Sequence, residues 1–237
     1  MSEGRLQGRI ALVTGASRGI GAAVARRFAQ EGAHLILVAR TSAGLEELDD
    51  DIQKITGTPA TLVPMDLTDY DEIDRMGAAL HERFGHLDIL VGNAGILGTL
   101  SPMGHIDPKV WDQTMAINLT ANWRLVRSMD PLLQRSDAGR AIFVTSSVGA
   151  EARAYWSAYS VSKAALEMMA KIYAEENTKG TVRVNLLNPG GTRTGMRAQA
   201  MPGEDPLSVK APEEVTEAFV QLAEPSCEHN GVTLDCR

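Results

Sequence analysis

Two hydrophobic patterns alternate along the chain. Short runs of aliphatic and β-branched residues occupy 9–14, 34–40, 61–66, 87–93, 141–147 and 182–188, with a weaker seventh at 231–235. Leu35-Ile36-Leu37-Val38-Ala39 is apolar at every position rather than at every second one. A strand covered on both faces needs that pattern, so it predicts a parallel strand inside a sheet. Between the runs, apolar residues recur at helical spacing. Ile20, Val24 and Phe28 repeat every four residues, and Gly32 follows as a stop. Thr68-x-x-Asp71 predicts the opening of a helix that runs to Phe84. Further helices are predicted over 107–135, with Pro131 near the end, over 160–177, closed near Gly180, and over 213–224. Repeated βα units predict an α/β fold: a Rossmann-type doubly wound parallel sheet of about seven strands, helices on both faces, one domain over 1–237. The one irregular stretch, 190–212, is rich in Gly, Pro and Met. A loop of that length inside a compact domain predicts a lid over a substrate.

Composition adds bounds. With 44% hydrophobic and 22% charged residues the chain reads as globular, and 237 residues suffice to bury a large core. A net charge of −7 and a pI near 5.3 argue against nucleic-acid binding and against docking on anionic lipid. No signal-peptide core follows Met1-Ser2-Glu3-Gly4-Arg5, and no apolar run reaches about 18 residues, so a soluble, cytoplasmic protein is expected. Cys227 and Cys236 form no CxxC pair, and no His/Cys group has zinc spacing. Two reduced thiols and no metal are expected.

The candidate chemistry lies at the C-terminal ends of the predicted strands, where open α/β sheets bind ligands. After the first strand comes Thr14-Gly15-Ala16-Ser17-Arg18-Gly19-Ile20-Gly21. Small residues there let the backbone approach a pyrophosphate, and the next helix presents free N–H groups to it. After the second strand stands Arg40, with no carboxylate that would select NAD by binding the ribose 2′-hydroxyl. Arg40 and Arg18 therefore predict a 2′-phosphate and NADP(H). Asp66, closing the third strand before Leu67, is placed to accept from the adenine amine or to cap the next helix. Asn93-Ala94-Gly95 permits close approach to a cofactor ribose, and Pro189, Gly190, Thr192 and Thr194 are placed to hold the nicotinamide carboxamide.

Tyr159 and Lys163 are four residues apart, one turn of the predicted helix, so both side chains share a face. An ammonium about 4 Å from a phenol, at an effective dielectric of about 20, stabilises the phenolate by about 4 kcal/mol. A phenol whose pKa is lowered toward neutrality is expected. Asn118 stands mid-helix, where Asn is a poor former, and Ser146 and Ser147 end the fifth predicted strand.

Taken in order, Thr14–Gly21, Asn93–Gly95, Asn118, the serines, Tyr159/Lys163 and Pro189–Thr194 resemble the short-chain dehydrogenase/reductase family over nearly the whole chain. Asn188-Pro189-Gly190-Gly191-Thr192-Arg193-Thr194-Gly195-Met196-Arg197, with Ser136-Asp137-Ala138-Gly139 and Gly203-Glu204-Asp205-Pro206, is similar to the YciK-type oxidoreductases within it. The resemblance implies an NADPH-dependent oxidoreductase acting on a small carbonyl or alcohol substrate. Tyr159 is then general acid or base. Lys163 lowers the phenol's pKa and binds the nicotinamide ribose. Ser146 binds the substrate oxygen, and Asn118 helps hold a water in a proton relay. Ser146 is chosen over Ser147 because it opens Ser-x-x-Gly with Gly149 and precedes Tyr159 by 13 residues, the family's spacing. Leu97, Arg153, Trp156 and Met196 are candidates for the pocket wall, and Arg153 and Arg197 are read either as serving an anionic substrate group or as solvated loop charges. Gly92 replaces the first Asn of the usual Asn-Asn-Ala-Gly, which is expected to loosen local hydrogen bonding, and Thr192 stands where an apolar residue is common. The chain ends at Arg237, short of the tails that help relatives form tetramers, so a homodimer built on 107–135 and 160–177 is expected ahead of a homotetramer. The alternative reading is a nicotinamide-nucleotide-binding redox sensor or scaffold.

Overall fold

The computed structural model describes residues 4–236; readings placed on residues 1–3 and on Arg237 lie outside them. In chain order the elements are β1 (Ile10–Thr14), α1 (Gly19–Gln30), β2 (His34–Ala39), α2 (Ser42–Thr56), β3 (Thr61–Pro64), α3 (Tyr70–Phe84), β4 (Ile89–Gly92), α4 (Pro108–Met115), α5 (Ala121–Leu133), β5 (Arg140–Val144), α6 (Ser147–Ala150), α7 (Ser157–Glu176), β6 (Arg183–Asn188), α8 (Gly195–Ala200), α9 (Thr216–Ala223) and β7 (Thr233–Asp235). All seven strands are parallel, in the order β3-β2-β1-β4-β5-β6-β7.

The continuous apolar strands feed two cores. Ala11, Val13, Leu35 and Leu37 point to one face, with Val24 and Phe28 of α1 and Phe219 of α9. Leu12, Ile36 and Val38 point to the other, with Met76 of α3, Leu125 of α5 and Leu166 of α7. Alternate side chains of a parallel strand thus go to opposite helix layers. The strand order reverses between β1 and β4, which opens a crevice at their C-terminal ends.

Several expected boundaries are corrected. Leu45, Leu48 and Ile52 form the buried stripe of α2, a helix the sequence reading did not name. β3 stops at Pro64, which has no N–H for the ladder, so Asp66 lies beyond the strand rather than closing it. The helix after it is capped not by Thr68 or Asp66 but by Asp69, whose carboxylate accepts from Glu72 N at 3.0 Å. Residues 107–135 are not one α-helix: a π-helical turn at Ala116–Thr120 separates α4 from α5. β5 ends at Val144 and Ser147 already opens α6, while α7 begins at Ser157, before the expected 160. Residues 190–212 are not irregular: they carry α8 and a 3-10 turn at Pro206–Ser208, and Thr192 and Lys210 form a β-bridge near their ends. No described helix is long and apolar enough to cross a membrane.

Candidate active site

Thr14 and Asn93 stitch together the ends of β1 and β4. The Thr14 hydroxyl donates to Val91 O at 3.1 Å and accepts from Asn93 N and Ala94 N at 3.0 and 3.1 Å. Asn93 Nδ2 donates to Thr14 O at 2.8 Å. A Cβ on Gly21 would stand 2.6 Å from the Asn93 amide and collide with Gly15 O, so only glycine allows α1 to start this close to the strand ends. Ile20 packs against the core at the start of α1, and Ser17 lies beside the first turn of α2 at Gly44. Thr194 caps α8, accepting from Arg197 N at 3.2 Å, and lies next to Gly19. Gly190 N donates to Asn188 Oδ1 at 3.1 Å, and the buried Thr192 hydroxyl turns back to Pro189 O. The glycine turn, residues 93–95 and residues 189–194 therefore share the crevice.

Arg18 and Arg40 are both exposed. Arg40 stands 3.9 Å from Asp66, whose Oδ1 accepts from Thr68 N and Oγ1 at 2.9 and 2.8 Å. Those Thr68 bonds, with Arg40 nearby, lower the Asp66 pKa and keep it ionised. The Leu67 side chain belongs to the core.

Asn118 is fully buried in the π-helical turn. Its Oδ1 accepts from Ile96 N at 2.8 Å; its Nδ2 donates to Ile96 O at 2.9 Å and to Ser162 Oγ at 3.0 Å. It thus ties the loop after β4 to α7. Single π-turns are frequent at functional sites.

Ser146, at the N-cap of α6, hydrogen-bonds the Tyr159 phenol, whereas Ser147 is the first residue of the helix. Lys163 Nζ donates to Val144 O at 2.7 Å and lies 5.7 Å from the centre of the Tyr159 ring. Burial corrects the expected electrostatics. Tyr159 is 8% exposed, and desolvation pushes its pKa up to about 12 against the lowering effect of Ser146. Lys163 is 3% exposed, and desolvation pulls it down to about 8 against the raising effect of Glu167. For each group, the removal of its charge from water outweighs the neighbour that favours the charged form, Ser146 for Tyr159 and Glu167 for Lys163.

Tyr159 sits in a small apolar cluster with Leu97 and Val148, packed by Leu100, Trp156, Met196 and Ala200. Leu97, Trp156 and Met196 thus pack around Tyr159. Arg153 lies over the Trp156 ring, 5.6 Å from its centre. The expectation that Arg197 serves an anionic substrate is corrected: its guanidinium makes a two-pronged pair with Glu204 at 2.6 and 2.5 Å. The expected loosening at Gly92 is corrected too. A Cβ there would collide with Asn122 Oδ1 and stand 2.5 Å from Phe143 Cδ1, and Asn122 Nδ2 donates to Asn118 O at 2.9 Å. The space a larger residue would fill is taken by Asn122. Sequence reasoning gave no role to Asn122 or Ser162, and read Thr14 only as the opening residue of the glycine turn, not as the link to Asn93. Ser162 had a signal, its place directly before Lys163; Asn122 carried none.

The arrangement sets a neutral phenol, a hydroxyl and a buried ammonium near one another beyond the end of β5. It can deliver a proton to an oxygen held by the two hydroxyls and stabilise the resulting phenolate. A family model described as short chain dehydrogenase matches residues 9–205. The chain is 38% identical over 235 residues to the uncharacterized oxidoreductase YciK of Escherichia coli, covering 98% of this chain and 93% of that one. A short chain dehydrogenase from Salmonella enterica superimposes with a TM-score of 0.97 at 38% identity, covering 100% of this chain and 99% of that one. Another, from Escherichia coli and complexed with NADPH, superimposes with a TM-score of 0.96 at 38% identity over 100% of both chains. This chain belongs to the short chain dehydrogenase family.

Proposed function

We propose that the protein is an NADPH-dependent reductase of aldehydes or ketones, and equally an NADP-linked alcohol dehydrogenase in reverse. The observation that carries this reading is the meeting of Ser146, Tyr159 and Lys163 beside a crevice built for a dinucleotide. The crevice fits that cofactor, since α1 begins there with no side-chain cap on its first-turn N–H groups and no acidic residue in that turn. Gly15, Ser17, Gly19, Ile20 and Gly21 hold the pyrophosphate, Arg18 and Arg40 the 2′-phosphate, and Asp66 and Leu67 border the adenine. Asn93, Ala94, Gly95, Tyr159 and Lys163 line the nicotinamide ribose, and Pro189, Gly190, Thr192 and Thr194 the nicotinamide. Bound there, NADPH supplies the hydride for the carbonyl carbon.

Ser146 and Tyr159 orient the carbonyl oxygen, and Tyr159 gives it its proton. A phenol pushed up to about 12 is protonated at any physiological pH, the state a general acid requires. Lys163 stabilises the phenolate left behind, and Asn118 keeps α7 and the loop after β4 in register. The apolar side chains around Tyr159 exclude water, and residues 190–212 act as a substrate lid through Met196. Val161, Met168 and Ile172 on α7, and Trp123 on α5, are exposed apolar side chains. They support a homodimer through these helices. Light scattering tests the dimer; a monomer would refute it. A screen of aldehydes and ketones with NADPH tests the activity. Consumption of NADPH with at least one carbonyl class is expected, and tight NADPH binding with no turnover of any would refute the reading.

A further inference from the structure

We propose that Glu167 is a positioning residue of this site, which keeps the Lys163 ammonium protonated and sets Ser146 against Tyr159. The inference rests on the roles given above to Tyr159 and Lys163. Tyr159, Lys163, Glu167 and Lys171 succeed one another every four residues along α7, so they lie along one face. Three consecutive residues at the end of β5 meet this face. Val144 O accepts from Lys163 Nζ at 2.7 Å, Thr145 Oγ1 donates to Glu167 Oε1 at 2.7 Å, and Ser146 bonds Tyr159. The middle contact is the one made by a charged group the mechanism does not use. It fixes the residue directly before Ser146.

The Glu167 side chain is 12% exposed. A carboxylate in that position is costly unless something compensates it. Space for it is made by Gly149, where a Cβ would stand 2.8 Å from Glu167 Oε1 and 3.2 Å from Lys163 Cβ. The glycine of Ser146-Ser147-Val148-Gly149 thus admits a carboxylate beneath the site. Lys171, at 4.0 Å, is half exposed and faces the other oxygen.

Among the described residues Glu167 is the one charged group that acts on Lys163, favouring its charged form against burial. The other surroundings of Lys163 are neutral: Val144 O from β5, Gly95 after β4, Gly149 of α6 and the Tyr159 ring. Beyond α6, Glu151 is exposed, as are Lys109 and Asp112 of α4, and Arg183 of β6 donates to Gly180 O and Val182 O.

The test compares pH profiles of carbonyl reduction for wild type, Glu167→Gln, Glu167→Asp and Thr145→Val, with NADPH binding measured alongside. Glutamine keeps the hydrogen bond to Thr145 and removes the charge. Its alkaline limb is expected to fall to lower pH by roughly half a unit to one unit, with NADPH affinity at about pH 6.5 retained. Aspartate restores the limb in part. Thr145→Val keeps the charge and frees the carboxylate: kcat falls a few-fold, KM holds, and the limb stays in place, while Thr145→Ser recovers kcat. A Glu167→Gln limb that overlays the wild-type one overturns the charge role, and a wild-type kcat in Thr145→Val overturns the positioning role. Should Glu167→Gln fail to fold, the Glu167→Asp limb and the Thr145 pair decide. Undiminished activity of Tyr159→Phe would instead reject the underlying reading.

Discussion

Replacing Lys163 by methionine removes a buried ammonium, and the cofactor-free protein is expected to become more stable while losing activity. Desolvation pulls the Lys163 pKa from 10.5 to about 8. At 1.36 kcal/mol per pKa unit, keeping that charge in the folded state costs on the order of 3 kcal/mol at neutral pH. Methionine has a similar length and no charge, but leaves Val144 O without the donor it has at 2.7 Å. An unpaired buried carbonyl costs about 1–2 kcal/mol, so the net gain is about 1–2 kcal/mol. For a domain of this size that raises Tm by roughly 2–8 °C. The pH dependence has a fixed sign. The folded pKa lies below the unfolded one, so between about 8 and 10.5 the unfolded wild type binds more protons and wild-type stability rises with pH. The advantage of Lys163→Met is therefore full below about pH 8 and fades toward pH 10.5. Thermal unfolding of both proteins without cofactor at about pH 7 and about pH 10 measures this. A variant less stable than wild type at neutral pH, or an advantage unchanged between the two values, would refute the reasoning.

Arg40→Ala is expected to weaken NADPH binding about ten- to a hundred-fold, the loss of one charge-assisted contact, and to leave NADH affinity unaltered; calorimetry with both nucleotides checks this. Gly92→Ala drives a methyl into Asn122 and Phe143 and is expected to cost about 1–3 kcal/mol, read as a lower Tm. Arg197→Ala opens the pair with Glu204 that ties α8 to the loop after it; KM is expected to rise roughly two- to five-fold, with kcat nearly unchanged in steady-state assays.

The sheet was legible because its strands are covered on both faces, which leaves runs such as Leu35–Ala39 without a polar position. The tyrosine–lysine pair was legible because four residues make one turn on any α-helix. α2 was not named although Leu45, Leu48 and Ile52 carry the helical period between charged positions. The π-helical turn at Asn118 has no sequence period of its own; the side-chain bonds to Ile96 and Ser162 hold it, and they join segments distant in sequence. The direction of the Tyr159 shift was misjudged for a related reason. Spacing places phenol and ammonium on one helix face, whereas the desolvation that raises the phenol's pKa comes with Leu97, Val148, Trp156 and Met196, brought together from four separate segments. Asn122, which takes the space beside Gly92, was equally invisible until β4 and α5 were placed side by side.

The most direct test of the central claim is the NADPH-dependent reduction of one turned-over carbonyl compound by wild type and by Tyr159→Phe, with NADPH affinity measured on both. A fall in kcat/KM of about 10²- to 10⁴-fold with unchanged NADPH affinity is the predicted result. Comparable rates for the two proteins would show that the proton comes from elsewhere and contradict the account.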